Sequence, residues 1–236
     1  MSRSVFVHET IDIVGQGQYD YMEMVNREPA QHMPDMTSLQ GTFYVLGFGG
    51  GRWPQVINIW DCGEDSWDGW GRNLDRLNLK RRKAFYGDWW DEAAQWRTGG
   101  FDRVCAGVPE SPTTKQIEER GIKGTLFLNE VLSVQPGTQI EYLNLVVKER
   151  SELMTDHGIV PTGLWEVINN NHEVVMIWAT TVEQWVTFQK NRDTTLGLGT
   201  SGSNDERIVE WERSSSKFVT GGDTHIMTPM PGTIYG

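Results

Sequence analysis

The sequence is short of cysteine, of long apolar runs and of basic charge. Its two cysteines, Cys62 and Cys105, have no second cysteine or histidine at metal-ligand spacing. This usage argues against a disulfide framework and is typical of a reducing cytoplasm. No stretch approaches the roughly 20 apolar residues of a membrane-spanning helix, and the amino terminus lacks the apolar core of a secretion signal. We therefore expect a cytoplasmic chain with no membrane partner.

Basic residues are outnumbered, because 21 Lys and Arg stand against 32 Asp and Glu and leave a net charge of −11. Such a chain repels a phosphate backbone, which argues against nucleic acid as a partner. Familiar catalytic motifs are missing as well. The glycine-rich segment 47–52 lacks the Gly-Lys-Ser/Thr of a phosphate loop, and neither Gly-x-Ser-x-Gly nor His-Glu-x-x-His occurs. The sequence predicts no metal site.

What the chain does have is tryptophan, eleven residues in all, and an internal repeat. Residues 5–28 align without a gap with residues 126–149, so that Glu9 corresponds to Glu130 and Tyr21 corresponds to Tyr142. Self-similarity over this distance indicates two copies of one structural unit.

The repeat continues through the tryptophans. Segments 56–67 and 174–185 each end an apolar run in Ile-Trp and carry another Trp seven residues later. Further along, Trp89 corresponds to Trp211. The small changes in alignment offset fall where glycines signal loops.

Each copy has the same pattern of elements. Alternating apolar residues predict a first strand at 5–13 and at 126–134, followed by a helix, a hairpin, a second helix and a last strand. This order predicts an α+β fold of two ferredoxin-like βαββαβ repeats, residues 1–115 and 123–236. Because each sheet has a second apolar face to bury, the repeats should form an intramolecular pseudo-dimeric α+β barrel. The first helix of the second copy lacks proline and should run straight.

Three stretches of the second copy suggest a family: "LNEVLSVQPG" at 128–137, "HGIVPTGLWEV" at 157–167 and "HEVVMIWATTVEQWVTF" at 172–188. They resemble the NIPSNAP family of the dimeric α+β barrel superfamily, and the first copy shares the resemblance through the repeat. The resemblance implies the barrel fold. It leaves the chemistry open, because the superfamily includes cofactor-independent monooxygenases, isomerases, lyases and haem enzymes.

Two carboxylates and three histidines are the candidate catalytic residues. Glu9 and Glu130 occupy matching positions on apolar strand faces, where burial raises the pKa of a carboxyl group and suits it to general acid–base work. The alternative for both is a structural pair with a basic residue. His8, His32 and His157 are the candidate partners. Their alternatives are a half-buried histidine, a surface loop and a helix cap, respectively.

Aromatic residues on the hairpins and helices are the candidate substrate contacts. A cavity lined by such side chains suits an apolar or aromatic ligand. The set comprises Tyr44, Trp60, Trp70, Trp90 and Trp165.

These features lead to three hypotheses of function. The first is a cofactor-independent enzyme, of isomerase, lyase, hydratase or monooxygenase type, acting on an apolar, aromatic or terpenoid small molecule. The second is a non-catalytic binding or interaction protein of the NIPSNAP type. The third is a haem-dependent tandem-barrel enzyme with a histidine as axial ligand. We expect no cofactor for the first, and a homo-oligomer is compatible with all three.

Overall fold

The computed structural model describes residues 3–27, 38–79, 89 and 91–236 of the chain. The chain divides into two compact units. The first unit comprises residues 1–107 and 225–236, and the second unit comprises residues 108–224.

The first unit is an antiparallel sheet with helices. Its order is β1 (Val5–Ile13), α1 (Gln18–Arg27), β2 (Ser38–Val45), β3 (Gln55–Asp61), α2 (Trp67–Leu79) and β4 (Arg97–Gly107). Strand β1 pairs with both β3 and β4, and β2 pairs with β3. The last residues of β8 (Val219–Pro229) pair with the other edge of β2. The predicted strand at 5–13 is confirmed.

The second unit has a similar order. It contains α3 (Thr114–Arg120), β5 (Leu126–Val134), α4 (Gln139–Leu145), a π-helical turn (Val146–Arg150), α5 (Ser151–Asp156), β6 (Val160–Val167), β7 (Glu173–Thr180), α6 (Val182–Thr195), α7 (Glu206–Ser215) and the start of β8. Strand β7 pairs with both β5 and β6, and β8 lies beside β5. The predicted strand at 126–134 is confirmed.

The alternation of β1 decides which side chains meet the helices. Ile11 and Ile13 pack with Tyr21, Met22 and other residues of α1 in one buried cluster. Because residues two apart on a strand share a face, Glu9 lies on this helix-covered side of the sheet. His8 lies on the opposite face.

Both hairpins break register at the same place. The pairing shifts between Leu39 and Gly41 in β2, and between Pro161 and Gly163 in β6. A Cβ atom on Gly163 would lie 2.4 Å from the ring of Trp165, which is fully buried. The shift therefore brings the backbone against a core indole, and only glycine fits there.

We expect Gly163→Ala to lower the free energy of unfolding by about 1–3 kcal/mol, the usual cost of overpacking a core. Chemical denaturation followed by circular dichroism measures this loss. Gly221→Ala is the matched control, because a Cβ on Gly221 meets nothing within 4 Å. Equal stability of the two variants would contradict the tight packing at Gly163.

That the first helix of the second copy runs straight stays a prediction, but the helix is not a regular α-helix throughout. The π-helical turn Val146–Arg150 interrupts it between α4 and α5. A π turn inserts an extra residue and rotates the following side chains about the helix axis. Here it ends on Arg150, whose guanidinium reaches Glu130 on β5.

The α+β class and the antiparallel strands of the prediction are confirmed. The copies at 1–115 and 123–236, and their closure into one intramolecular barrel, stay predictions. Among the described residues, no helix combines the length and the apolar character that a membrane crossing needs. The cytoplasmic location stays a prediction.

Candidate functional site

A row of polar side chains crosses the helix-covered face of the first unit. In the strand register, Glu9 of β1 pairs with Asn58 of β3, and Asn58 pairs with Thr42 of β2. The Thr42 hydroxyl donates to Asn58 Oδ1 at 2.8 Å, and Asn58 Nδ2 donates to Glu9 Oε2 at 2.8 Å. Thr42 and Asn58 are fully buried. Because Thr42 satisfies the amide oxygen, the amide nitrogen of Asn58 is turned toward the carboxylate.

Two aromatic side chains complete the network. Trp60 Nε1 donates to Glu9 Oε2 at 3.0 Å, and Asn58 Nδ2 also donates to the hydroxyl oxygen of Tyr21 at 3.2 Å. Arg97 hydrogen-bonds the same hydroxyl. Within the described part of the chain, both hydrogen bonds to the Glu9 carboxylate go to Oε2, and none goes to Oε1.

Burial leaves Glu9 a stronger base than an ordinary glutamate, although its hydrogen bonds act in the opposite direction. Desolvation by burial raises the pKa of Glu9, the hydrogen bonds from Asn58 and Trp60 lower it, and the nearby Asp102 raises it further. The net direction is upward from 4.5. A raised pKa improves proton acceptance in a group that still ionises.

This raised pKa predicts a pH-dependent stability. A folded-state pKa above the unfolded value means that the contribution of Glu9 is fully present below the unfolded pKa and is lost as pH rises through the folded pKa. Glu9→Gln removes this titration. We therefore expect its stability relative to wild type to increase with pH, in urea unfolding series run from about pH 4 to about pH 8. A difference that stays constant would contradict the desolvation of Glu9.

Partly buried apolar side chains pack against the core cluster on the face of the sheet where Glu9 lies. Five such residues of the described chain pack against the cluster of Ile11, Tyr21 and α1. They are Leu39, Tyr44, Trp60, Trp96 and Met230. Glu9 itself is partly exposed. The Glu9 carboxylate therefore lies at the edge of an aromatic and aliphatic surface.

In the second unit, both carboxylate oxygens of the matching Glu130 accept hydrogen bonds. Arg150 Nη1 and Nη2 donate to the two carboxylate oxygens of Glu130 at 2.6 and 2.7 Å, and Trp178 Nε1 donates to Oε2 at 2.9 Å. The Arg150 guanidinium also lies over the rings of Trp178 and Trp211, 4.9 and 5.3 Å from their centroids. Arg150 and Trp178, the donors to Glu130, are themselves buried. This geometry supports the structural alternative for Glu130.

The two sites differ at one more position. Asn58 of the first unit corresponds to Met176 of the second, which is fully buried. Glu130 pairs with Met176 in the strand register, as Glu9 does with Asn58. The first unit therefore has a polar row where the second has an apolar neighbour and an arginine. Sequence reasoning missed Asn58, although the Asn-to-Met difference between the copies was the available signal.

The structure does not bring His8 or His157, the two described candidate histidines, to Glu9. His8 is fully buried on the opposite face of β1. His157 lies in the second unit at the end of α5, where its ring bonds Asp205 at 3.0 Å and Asn191 at 3.4 Å. These contacts favour the helix-end interpretation of His157. His32 lies outside the described residues.

The candidate aromatic contacts are scattered. Trp60 contacts Glu9, and Tyr44 packs near it against the same core cluster and against Tyr19. Trp70 stands on α2 in edge contact with Trp67. Trp165 is fully buried in the second unit, so the geometry favours a core role. Trp90 lies outside the described residues.

Within the described ranges, no group of three or more His, Cys, Asp or Glu side chains is arranged to hold a metal ion. Both cysteines are buried thiols. Burial raises the pKa of Cys62 to about 12, so its thiolate form is suppressed at neutral pH.

No protein-family model matches the chain, and no curated protein matches it closely. Solved structures do match. An anthrone oxidase-like protein has a TM-score of 0.61 at 11% identity, covering 98% of this chain and 94% of its own. A candidate monooxygenase from Lactobacillus acidophilus has a TM-score of 0.57 at 12% identity, covering 96% and 94%. Another, from Fusobacterium nucleatum, has a TM-score of 0.57 at 8% identity, covering 97% and 93%.

The chain is similar in fold to these solved structures. Identities this low show the fold alone. The finer assignment to a NIPSNAP-like family stays a prediction.

Proposed function

We propose that the first unit carries an enzymatic site in which Glu9 accepts a proton from an apolar small molecule. The observation that supports this most is the contrast between two corresponding glutamates. Glu130 is saturated by a bidentate arginine, whereas Glu9 has a raised pKa and two hydrogen bonds to one oxygen only, among the described residues.

The proposed step uses Oε1 as the base. Asn58 and Trp60 hold Oε2, so the carboxylate is fixed while Oε1 points away from those donors. The substrate X–H bond breaks, the Oε1–H bond forms, and the electron pair stays on the substrate. Positioned bases of this kind contribute about 10²–10⁴-fold to a reaction rate.

The later fate of the substrate anion decides the reaction type. Return of the proton to another atom gives an isomer, and reaction with dioxygen gives an oxygenated product. The neighbours described above are named as candidate monooxygenases or as anthrone oxidase-like, and none of these three as an isomerase or lyase. Their names lead us to favour oxygenation as the continuation, without an assigned cofactor.

Three of the four described histidines give the haem alternative no such support. His8 is buried away from Glu9, His157 is held by Asp205 and Asn191, and His172 is exposed on the hairpin between β6 and β7. We therefore derive no step through haem.

A proton-exchange screen tests the proposal. Purified protein is incubated under argon in D₂O with a panel of apolar and aromatic compounds, and each compound is followed by mass spectrometry. Without dioxygen, the anion is reprotonated by solvent, so a substrate should gain deuterium faster with the protein than without it. Compounds that bind but never gain deuterium would instead favour the non-catalytic alternative.

A further inference from the structure

In the second unit, Arg150 binds Glu130 and lies over Trp178. In the first unit, among the described residues, the corresponding Glu9 forms no ion pair with an arginine. Each unit has a glutamate on its first strand, and a tryptophan whose indole N–H bonds that glutamate, at 3.0 Å in the first and 2.9 Å in the second. Tyr21 and Tyr142 also correspond. In the second unit this set surrounds the guanidinium of Arg150.

Arg150 accounts for the lower exposure of Glu130 and Trp178 compared with Glu9 and Trp60. Glu130 is 5% exposed and Trp178 is fully buried, with the guanidinium on the carboxylate and over the indole ring. Glu9 and Trp60 are both partly exposed. Among the described residues, no basic side chain forms an ion pair with Glu9. In the second unit, Arg150 bonds the corresponding carboxylate and lies over the corresponding indole ring.

The charges around Glu9 favour a cation. Asp102 pairs with Glu9 in the register of β1 and β4, and it raises the pKa of Glu9 more than Arg97 lowers it. The Arg97 guanidinium has its Cζ 5.9 Å from the ring of Trp89 and forms a hydrogen bond with Tyr21. Among the described charged groups, Asp102 therefore has a larger effect on Glu9 than Arg97 has, and it favours a cation beside the carboxylate.

We propose that the site at Glu9 binds a planar cationic group with N–H donors on one edge, of the amidinium, guanidinium or protonated amino-heterocycle class. The N–H edge bonds the Glu9 carboxylate through Oε1, and the planar face lies on Trp60, as Arg150 lies on Trp178. A delocalised planar cation gains both a charge-assisted hydrogen bond and a cation–π contact in this geometry.

This inference rests on the proposed function and names the head group of its substrate. The apolar body of the ligand would contact Tyr44, Leu39 and the neighbouring apolar residues.

Benzamidine and benzamide form the matched pair of probes, because they have nearly the same shape and differ in charge. Each is titrated by calorimetry into wild type and Glu9→Gln at about 0.15 M salt, where the general attraction of an acidic chain for cations is screened. We expect wild type to bind benzamidine at least about ten-fold more tightly than benzamide, the scale of one charge-assisted contact. In Glu9→Gln this preference should disappear.

Equal binding of the two probes to wild type would overturn the proposal, and so would a preference that survives in Glu9→Gln. The comparison of probes in wild type needs no variant to fold. The outcome is also separable from the proposed function. If proton exchange depends on Glu9 but the protein has no preference for benzamidine, only the proposed ligand class is excluded and the proposed function stands. A Glu9-dependent preference without proton exchange on any compound would leave a binding site and remove the enzymatic proposal.

Discussion

Replacing Glu130 by Gln should lower the free energy of unfolding by about 3–5 kcal/mol, the cost of breaking a buried ion pair by removing one partner. Arg150 is 9% exposed and donates to both oxygens of Glu130. A neutral amide in place of this carboxylate would leave the guanidinium buried without a compensating charge. Denaturant unfolding followed by circular dichroism measures the loss.

The double variant Glu130→Leu/Arg150→Met is the matched control. Replacing both members of a buried pair with apolar residues of similar volume is often neutral or stabilising. We therefore expect it to recover most of the stability that Glu130→Gln loses. A loss below about 1 kcal/mol for Glu130→Gln, the range of exposed pairs, would contradict a buried structural pair.

Replacing Glu9 by Gln should have the opposite effects: it should reduce activity and leave stability unchanged. Turnover of the true substrate should fall by about 10²–10⁴-fold, since a general base is lost. Stability at neutral pH should be maintained, because the amide oxygen can accept the hydrogen bonds from Asn58 and Trp60, and the cost of burying a charge disappears. Steady-state kinetics and denaturant unfolding of the same preparation measure both effects.

Glu9→Asp serves as the conservative comparison, because it keeps the carboxylate and shortens its reach. Partial activity in Glu9→Asp together with none in Glu9→Gln would support proton acceptance. Full activity in Glu9→Gln would exclude Glu9 as the base.

The strands and the correspondence of the two glutamates followed from sequence patterns. Alternating Val, Ile and Leu placed β1 and β5, and the repeat brought Glu9 and Glu130 to equivalent positions. These features depend on residues close in sequence and on period-two burial, which a single sequence records directly.

The sequence did not predict the difference in surroundings between Glu9 and Glu130, because that difference depends on contacts between residues far apart in the chain. Arg150 lies 20 positions from Glu130 and reaches it after a π-helical turn, a local irregularity that the helical pattern of residues 140–154 does not reveal. Asn58 reaches Glu9 across the sheet, through a register that fixes which polar residues are neighbours. The role of His157 was equally hidden, since its partner Asp205 begins a helix 48 residues away.

The most direct test compares the two glutamates as proton acceptors on one substrate. The rate of deuterium incorporation from D₂O, under argon, is measured for wild type, Glu9→Gln and the double variant Glu130→Leu/Arg150→Met. Our account predicts that the double variant keeps a rate close to wild type, while Glu9→Gln falls at least about 100-fold. Loss of exchange in the double variant with a wild-type rate in Glu9→Gln would contradict it and move the reactive carboxylate to the second unit.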